Sequence, residues 1–221
     1  MNYITPKKTK KSKYSSTNKT LPKNHKNSKR ISRHSVEKST KSKEKSQSLK
    51  KLLNNNKIEM NKICFGVNVI LTEIISKNKF LPQYSDILQN QRKNIFNLKS
   101  QPKITISDFL NRIILYSKIE ISTLILSLIY LNKILEKGLL LTEYNVHKLL
   151  CISILIAIKY NEDKISNNNY YAQIFGLSLK EMNNLENSYL NLIDYKLYID
   201  QEFVKNFCNY IYEKIFVEFN I

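Results

Sequence analysis

Apolar residues recur along this chain at helical spacing, in segments set off by polar punctuation. Between residues 52 and 80, Ile58, Met60, Ile63, Val67, Val69, Ile70, Leu71, Ile74 and Ile75 mark one face of a helix that closes in the polar stretch Ser76–Lys79. A connecting segment with Phe80, Leu81 and Phe96 as anchors runs on to Gln101-Pro102, where proline disfavours helix in the residue before it. Beyond Pro102 the helix signals become dense. Thr105 or Ser107 can cap a helix that runs to about Ser117, with Phe109, Leu110, Ile113 and Ile114 on its apolar face. A second spans about Glu120–Glu136 and meets Gly138, a residue that tolerates the left-handed conformation at a helix end. Thr142 is placed to cap a third, to about Asn161, which is apolar nearly all round from Leu149 to Ile158, the pattern of a helix surrounded by others.

Asn169–Phe175 reads as a short helix closed by Gly176, and Ser178-Leu-Lys-Glu181 matches the S-x-x-E capping box that opens another, to about Asp194. Asp200 caps a last helix through about Phe219, with Phe203, Phe207, Tyr210, Ile211 and Ile215 on its buried face. No stretch alternates with period two for long enough to argue a sheet. The expected class is all-α, a bundle built around one buried central helix.

From Met1 to about Lys51 this texture is absent. The segment is Lys, Ser, Asn and Thr with almost no periodic apolar residues, and cannot bury enough surface to offset the entropy of ordering. A disordered arm is expected over residues 1–51, followed by the N-terminal helix and connecting segment over 52–101, the bundle over 102–200 and a terminal helix over 201–221.

Charge sharpens the division. The formal net charge of the 221 residues is +18, but residues 1–50 hold 16 basic and 2 acidic side chains, whereas residues 102–221 hold 12 and 13. The arm is the candidate contact for nucleic acid or an anionic surface, and Lys7-Lys8, Lys10-Lys11 and Lys29-Arg30 also have the form of a nuclear address. A composition rich in Asn and Lys also arises from biased nucleotide usage. Thr5-Pro6 suits proline-directed kinases, and Ser32 and Ser35 follow Arg30 and Arg33, so Thr5, Ser32 and Ser35 are candidate phosphorylation sites.

Other chemistries recede. Gly66, Gly138 and Gly176 stand far apart, so neither a phosphate-binding loop nor a dinucleotide fingerprint is present. His25, His34, His147 and Cys64, Cys151, Cys208 are scattered without metal-ligand spacing. No metal and no cofactor is expected, and the cysteines read as packing residues of a reducing compartment. The longest apolar runs, Leu124–Leu131 and Leu149–Ile158, fall short of the roughly 20 residues that cross a bilayer. With no apolar signal core at the N-terminus, the expected location is intracellular, in nucleus or cytoplasm.

Four segments in order resemble one family: ITISDFLNRI (Ile104–Ile113), LIYLNKIL (Leu128–Leu135), LTEYNVHKLLCISILIAIKYNED (Leu141–Asp163) and YYAQIFGLSLKEMNNLENSYLNLIDYKLYI (Tyr170–Ile199). Together they resemble the cyclin box, and more narrowly the single-box P/U-type cyclins that include the phosphate-pathway group. The resemblance covers about residues 96–200, with the helix near 58–77 where that group carries a helix before the box. It implies a five-helix box and a non-catalytic subunit that binds and activates a cyclin-dependent protein kinase.

In the family, a Lys at the end of the central helix and a Glu on the fifth box helix bond to the kinase beside its mobile C-helix. The matching residues are Lys159 and Glu186, with Ile156, Tyr160 and Leu190 as an apolar seat around them. Without the resemblance, Lys159 would read as a cation complementing a helix C-terminus, worth about 0.3–1 kcal/mol, and Glu186 as an ordinary surface residue. Asp108, Phe109, Asn132 and His147 are expected to stabilise the box.

Two departures stand out. Asn132-Lys133 replaces the family's Asp-Arg, which weakens the usual charged staple and leaves Lys103 or Arg112 as donors to the Asn132 side chain. After the box one terminal helix is expected, and a second five-helix repeat is not expected within these residues. The competing readings are a cyclin-fold nucleic-acid-binding protein, whose affinity would reside in the arm and vanish from a fragment starting near residue 52, and a scaffold without a kinase partner.

Overall fold

A computed structural model describes residues 57–91 and 93–219; the basic arm, with Thr5, Ser32 and Ser35, lies outside the described residues. Among those described, eight helices and no strand are present: α1 (Lys57–Lys79), α2 (Tyr84–Gln91), α3 (Ile106–Ser117), α4 (Ile121–Glu136), α5 (Val146–Asn161), α6 (Asn168–Phe175), α7 (Leu179–Leu192) and α8 (Gln201–Phe219). The fold is all-α, as the periodicity requires, and α3–α7 form the five-helix box.

The core is organised by α5. Every residue from Val146 to Ile158 is buried, because α4 packs along α5 most extensively and α3 and α7 close other sides. Full burial of each Leu or Ile here stabilises by about 1.5–3 kcal/mol relative to exposure. Two of the polar residues that α5 carries inward are satisfied by backbone carbonyls: Ser153 Oγ donates to the Leu150 carbonyl at 2.8 Å, and Lys148 Nζ donates to the carbonyls of Ile95 (3.0 Å) and Asn97 (3.3 Å). Outside the box, α1 pairs with α8, α1 also covers α3, and α8 reaches α4. The α1 face buried in this way includes Ile63, Val67, Ile70, Leu71 and Ile74, and that of α8 includes Phe207 and Ile211; the Ile215 side chain lies outside those described.

Most helix ends follow their local signals. Thr105 Oγ1 accepts from the Asp108 amide at 3.0 Å and opens α3. Ser178 Oγ accepts from the Glu181 amide at 3.1 Å and opens α7. Gly138 (φ +94°) and Gly176 (φ +72°) adopt the left-handed conformation after α4 and α6, where any other residue would carry a steric penalty.

Three expectations are corrected. Thr142 does not begin α5: its carbonyl accepts from the Asn145 and Val146 amides in a tight turn, and Asn145 spends its side chain bridging the Thr142 amide and the Leu140 carbonyl, both at 2.8 Å. The helix therefore starts at Val146. The connecting segment contains α2, which begins just after Pro82 and is tied down by Tyr84 Oη donating to Glu143 Oε2 at 3.0 Å. Phe80, expected to anchor this segment, is 87% exposed; Phe96 does anchor it, buried edge-on against the Tyr189 ring at 6.0 Å between centroids.

Candidate functional site

Lys159 stands in the last turn of α5 and Glu186 in the middle of α7. Their side chains meet, with Lys159 Nζ donating to Glu186 Oε1 at 2.6 Å and to Oε2 at 2.9 Å. The pair is partly open to solvent, at 32% exposure for the lysine side chain and 15% for the glutamate. A pair this accessible contributes at most about 1 kcal/mol to folding, so its geometry is not needed to hold the bundle together.

The helices that carry the pair are cross-linked by side-chain hydrogen bonds. At the end of α5, Glu162 Oε1 accepts from the Glu120 amide (3.0 Å) and from Thr123 Oγ1 (2.5 Å), placing a negative charge at the open N-terminus of α4, the sign that the helix dipole favours. Next to it, Asn161 Nδ2 donates to Ser122 Oγ (3.1 Å) and Thr123 Oγ1 (2.9 Å). The end of α5 is thereby stitched to the start of α4. On α7, Glu186 receives a further bond from Asn168 Nδ2 at 3.0 Å.

Beside the pair, Tyr160 is 49% exposed and lies edge-on against Tyr130, with centroids 6.4 Å apart. Tyr130 is itself buried, its hydroxyl donating to the Leu197 carbonyl at 2.9 Å. Leu190 is half-buried. Ile156, expected to share the apolar seat, is 2% exposed and belongs to the core: it faces the packed interior, so it can support a seat from beneath but offers no surface of its own.

Asp108, Phe109 and His147 come together at the start of α3. Thr105 Oγ1 donates to Asp108 Oδ2 at 2.7 Å while capping the helix, and the Phe109 ring packs against the His147 ring at 5.0 Å. His147 Nε2 lies 3.1 Å from the Ile104 carbonyl. Burial pushes the imidazole pKa down, against the opposing pull of the Ile104 and Thr105 backbone, so the ring is neutral at pH 7 and donates through Nε2–H. Asn132 is buried apart from this cluster and donates to Glu136 Oε1 at 3.1 Å on its own helix. Arg112 donates to the Gln173 carbonyl at 3.1 Å and so ties α3 to the end of α6, while Lys133 donates to the Lys196 carbonyl at 2.5 Å.

Three polar residues that shape this region are not singled out by the sequence: Asn168 and Glu162, described above, and Lys148, which bonds Glu181 Oε1 at 2.9 Å besides its two carbonyls. Burial pushes Cys64 up to about 12, Cys208 up to about 11 and Cys151 above its ordinary range. Among the described residues, no group of three His, Cys, Asp or Glu can hold a metal ion, and no helix is long and apolar enough to cross a membrane.

Comparison with known proteins decides what this arrangement belongs to. The family model for cyclins matches residues 6–197. The chain belongs to the cyclin family. Within it, the chain is of the P/U type. It is 29% identical over 158 residues to cyclin-U4-1 of Arabidopsis thaliana, an alignment covering 71% of this chain and 77% of the relative. With cyclin-P3-1 of Oryza sativa subsp. japonica the identity is 31% over 154 residues, covering 69% of the chain and 64% of the relative. With cyclin-U4-3 of Arabidopsis thaliana it is 33% over 128 residues, and this cyclin spans 58% of the relative's length. The matched stretch takes in α1 as well as the box.

Proposed function

We propose that this cyclin is a non-catalytic regulatory subunit that binds a cyclin-dependent serine/threonine kinase inside the cell and activates it. The observation that carries the proposal is the joining of Lys159 and Glu186 on an accessible face. An active kinase needs its C-helix swung in so that the helix glutamate can pair with the lysine that holds ATP. A subunit that binds only the swung-in state shifts the population toward it by its difference in affinity for the two states.

The pair is chemically suited to that task. The lysine ammonium has three hydrogens and spends two on Glu186; the carboxylate accepts three bonds and retains capacity for another. One donor and one acceptor side by side match a backbone carbonyl and amide at a helix boundary of a partner. Tyr160 and Leu190 supply apolar surface at the flank.

The test is affinity purification of the full wild-type chain beside a Lys159→Ala/Glu186→Ala double variant, scoring co-purified kinase and its activity on a generic serine substrate. A proline-directed kinase that comes down with the wild type and is lost with the variant supports the reading. A folded, helical wild-type chain that captures no kinase overturns it in favour of a scaffold.

A further inference from the structure

The acceptor half of the ion pair is held from a third helix. Asn168 is the first residue of α6, and both hydrogens of its amide have partners: Nδ2 donates to Glu186 Oε2 at 3.0 Å and to Asn183 Oδ1 at 2.8 Å. Asn183 and Glu186 are three residues apart and share one face of α7, so a single short side chain clips α6 to the surface from which Glu186 projects.

We infer that Asn168 is a positioning residue that fixes the Glu186 carboxylate toward Lys159 before a partner arrives. The inference rests on the reading of Lys159 and Glu186 as the kinase-binding pair. Lysine alone is a poor mount for the glutamate, because its own long stem is flexible. Asn168 is short, and its helix is anchored. Asn167 Oδ1 accepts from the Tyr170 amide at 3.0 Å, Tyr170 Oη donates to the Tyr116 carbonyl at 2.7 Å, and Tyr171 and Phe175 are buried with their rings stacked at 6.3 Å.

The residue type matters as well. The amide supplies two donors and no charge; aspartate at this position would repel Glu186, and serine would supply one donor for two acceptors. By adding its bond to Oε2, which Lys159 already shares, Asn168 leaves Oε1 as the oxygen with the greater capacity for an incoming backbone N–H. Fixing the carboxylate in advance removes an ordering cost from association.

The experiment is a double-mutant cycle on the full chain, using as probe the recombinant cyclin-dependent kinase that wild-type protein captures from an immobilised panel. Asn168→Ala should weaken binding about tenfold in the wild-type background and add nothing in a Glu186→Ala background. Equal losses in both backgrounds mean that Asn168 acts through the folding of α6, and overturn the inference. Asn168→Ser, which keeps a polar start to α6 but has one donor for two acceptors, is the second variant should alanine destabilise the chain, with the same two outcomes. A second readout needs no kinase: hydrogen exchange of the Lys159 ammonium in the free chain, followed by NMR, should accelerate in Asn168→Ala while the melting temperature holds, and unchanged exchange overturns the inference. If no kinase in the panel binds the wild type, the activator reading fails and the ammonium exchange alone decides the role of Asn168.

Discussion

Lys148 meets Glu181 at 2.9 Å across the junction of α5 and α7, and the same ammonium donates to the carbonyls of Ile95 and Asn97. A lysine on the buried central helix is thus the clamp for the loop that delivers Phe96 to the core. Lys148→Met keeps the stem and removes the donors, leaving two partly buried carbonyls without their cation. The expected loss is about 2–4 kcal/mol of folding free energy, read from urea denaturation, with faster amide exchange at Leu98, whose N–H is bonded to the Tyr144 carbonyl. A change below about 0.5 kcal/mol would mean that Lys148 does not clamp the loop.

For the ion pair, the effects on folding and on binding should separate. Lys159→Ala and Glu186→Ala are each expected to weaken kinase binding by about 2–5 kcal/mol while changing folding stability by under about 1 kcal/mol. The double variant should lose little more than either single, because each single already strands its partner. Additive losses in calorimetric titration with the captured kinase would mean that the two side chains act independently.

Ser178→Ala should cost about 1 kcal/mol, since the hydroxyl caps the Glu181 amide. The Glu181 carboxylate is engaged with Lys148, so Glu181→Gln should be felt at the loop clamp, as faster amide exchange around Phe96. Exchange confined to the first turn of α7 would contradict this assignment.

His147 gives a pH dependence. Burial lowers its pKa in the folded chain, so the unfolded chain binds the proton more readily. The stability that this difference supplies is fully present above the ordinary histidine pKa of about 6.5 and is lost as pH falls through the depressed folded value. Urea midpoints measured from pH 7.5 to pH 5 should therefore decline more steeply for the wild type than for His147→Gln. Parallel curves would show that another group governs this range.

The helices of the box are legible in the sequence because their ends are local chemistry. Thr105, Ser178, Gly138 and Gly176 each act within a few residues of their own position. Thr142 misleads because a tight turn and the Asn145 side chain take the backbone groups that a helix would use. Helix α2 is short and polar and is fixed through Tyr84 by a carboxylate 59 residues away, which no local pattern records. Lys159 and Glu186 are identified through the family resemblance, and neighbouring helices decide that Ile156 is core while Tyr160 faces outward. Asn168 falls just outside the helix that the sequence marks at Asn169–Phe175, and its role emerges only once α7 is in place.

The stitching of Glu162 and Asn161 to Ser122, Thr123 and the Glu120 amide means that the lysine's platform is borrowed from a part of the chain some forty residues upstream, while the glutamate's comes from α6 and α7. As the proposed docking face, this surface is assembled from segments far apart in the chain. No excised peptide carrying Lys159 or Glu186 alone can reproduce it, so such a peptide should be a poor competitor for the kinase, and denaturant should abolish partner recognition in the same transition that opens the core.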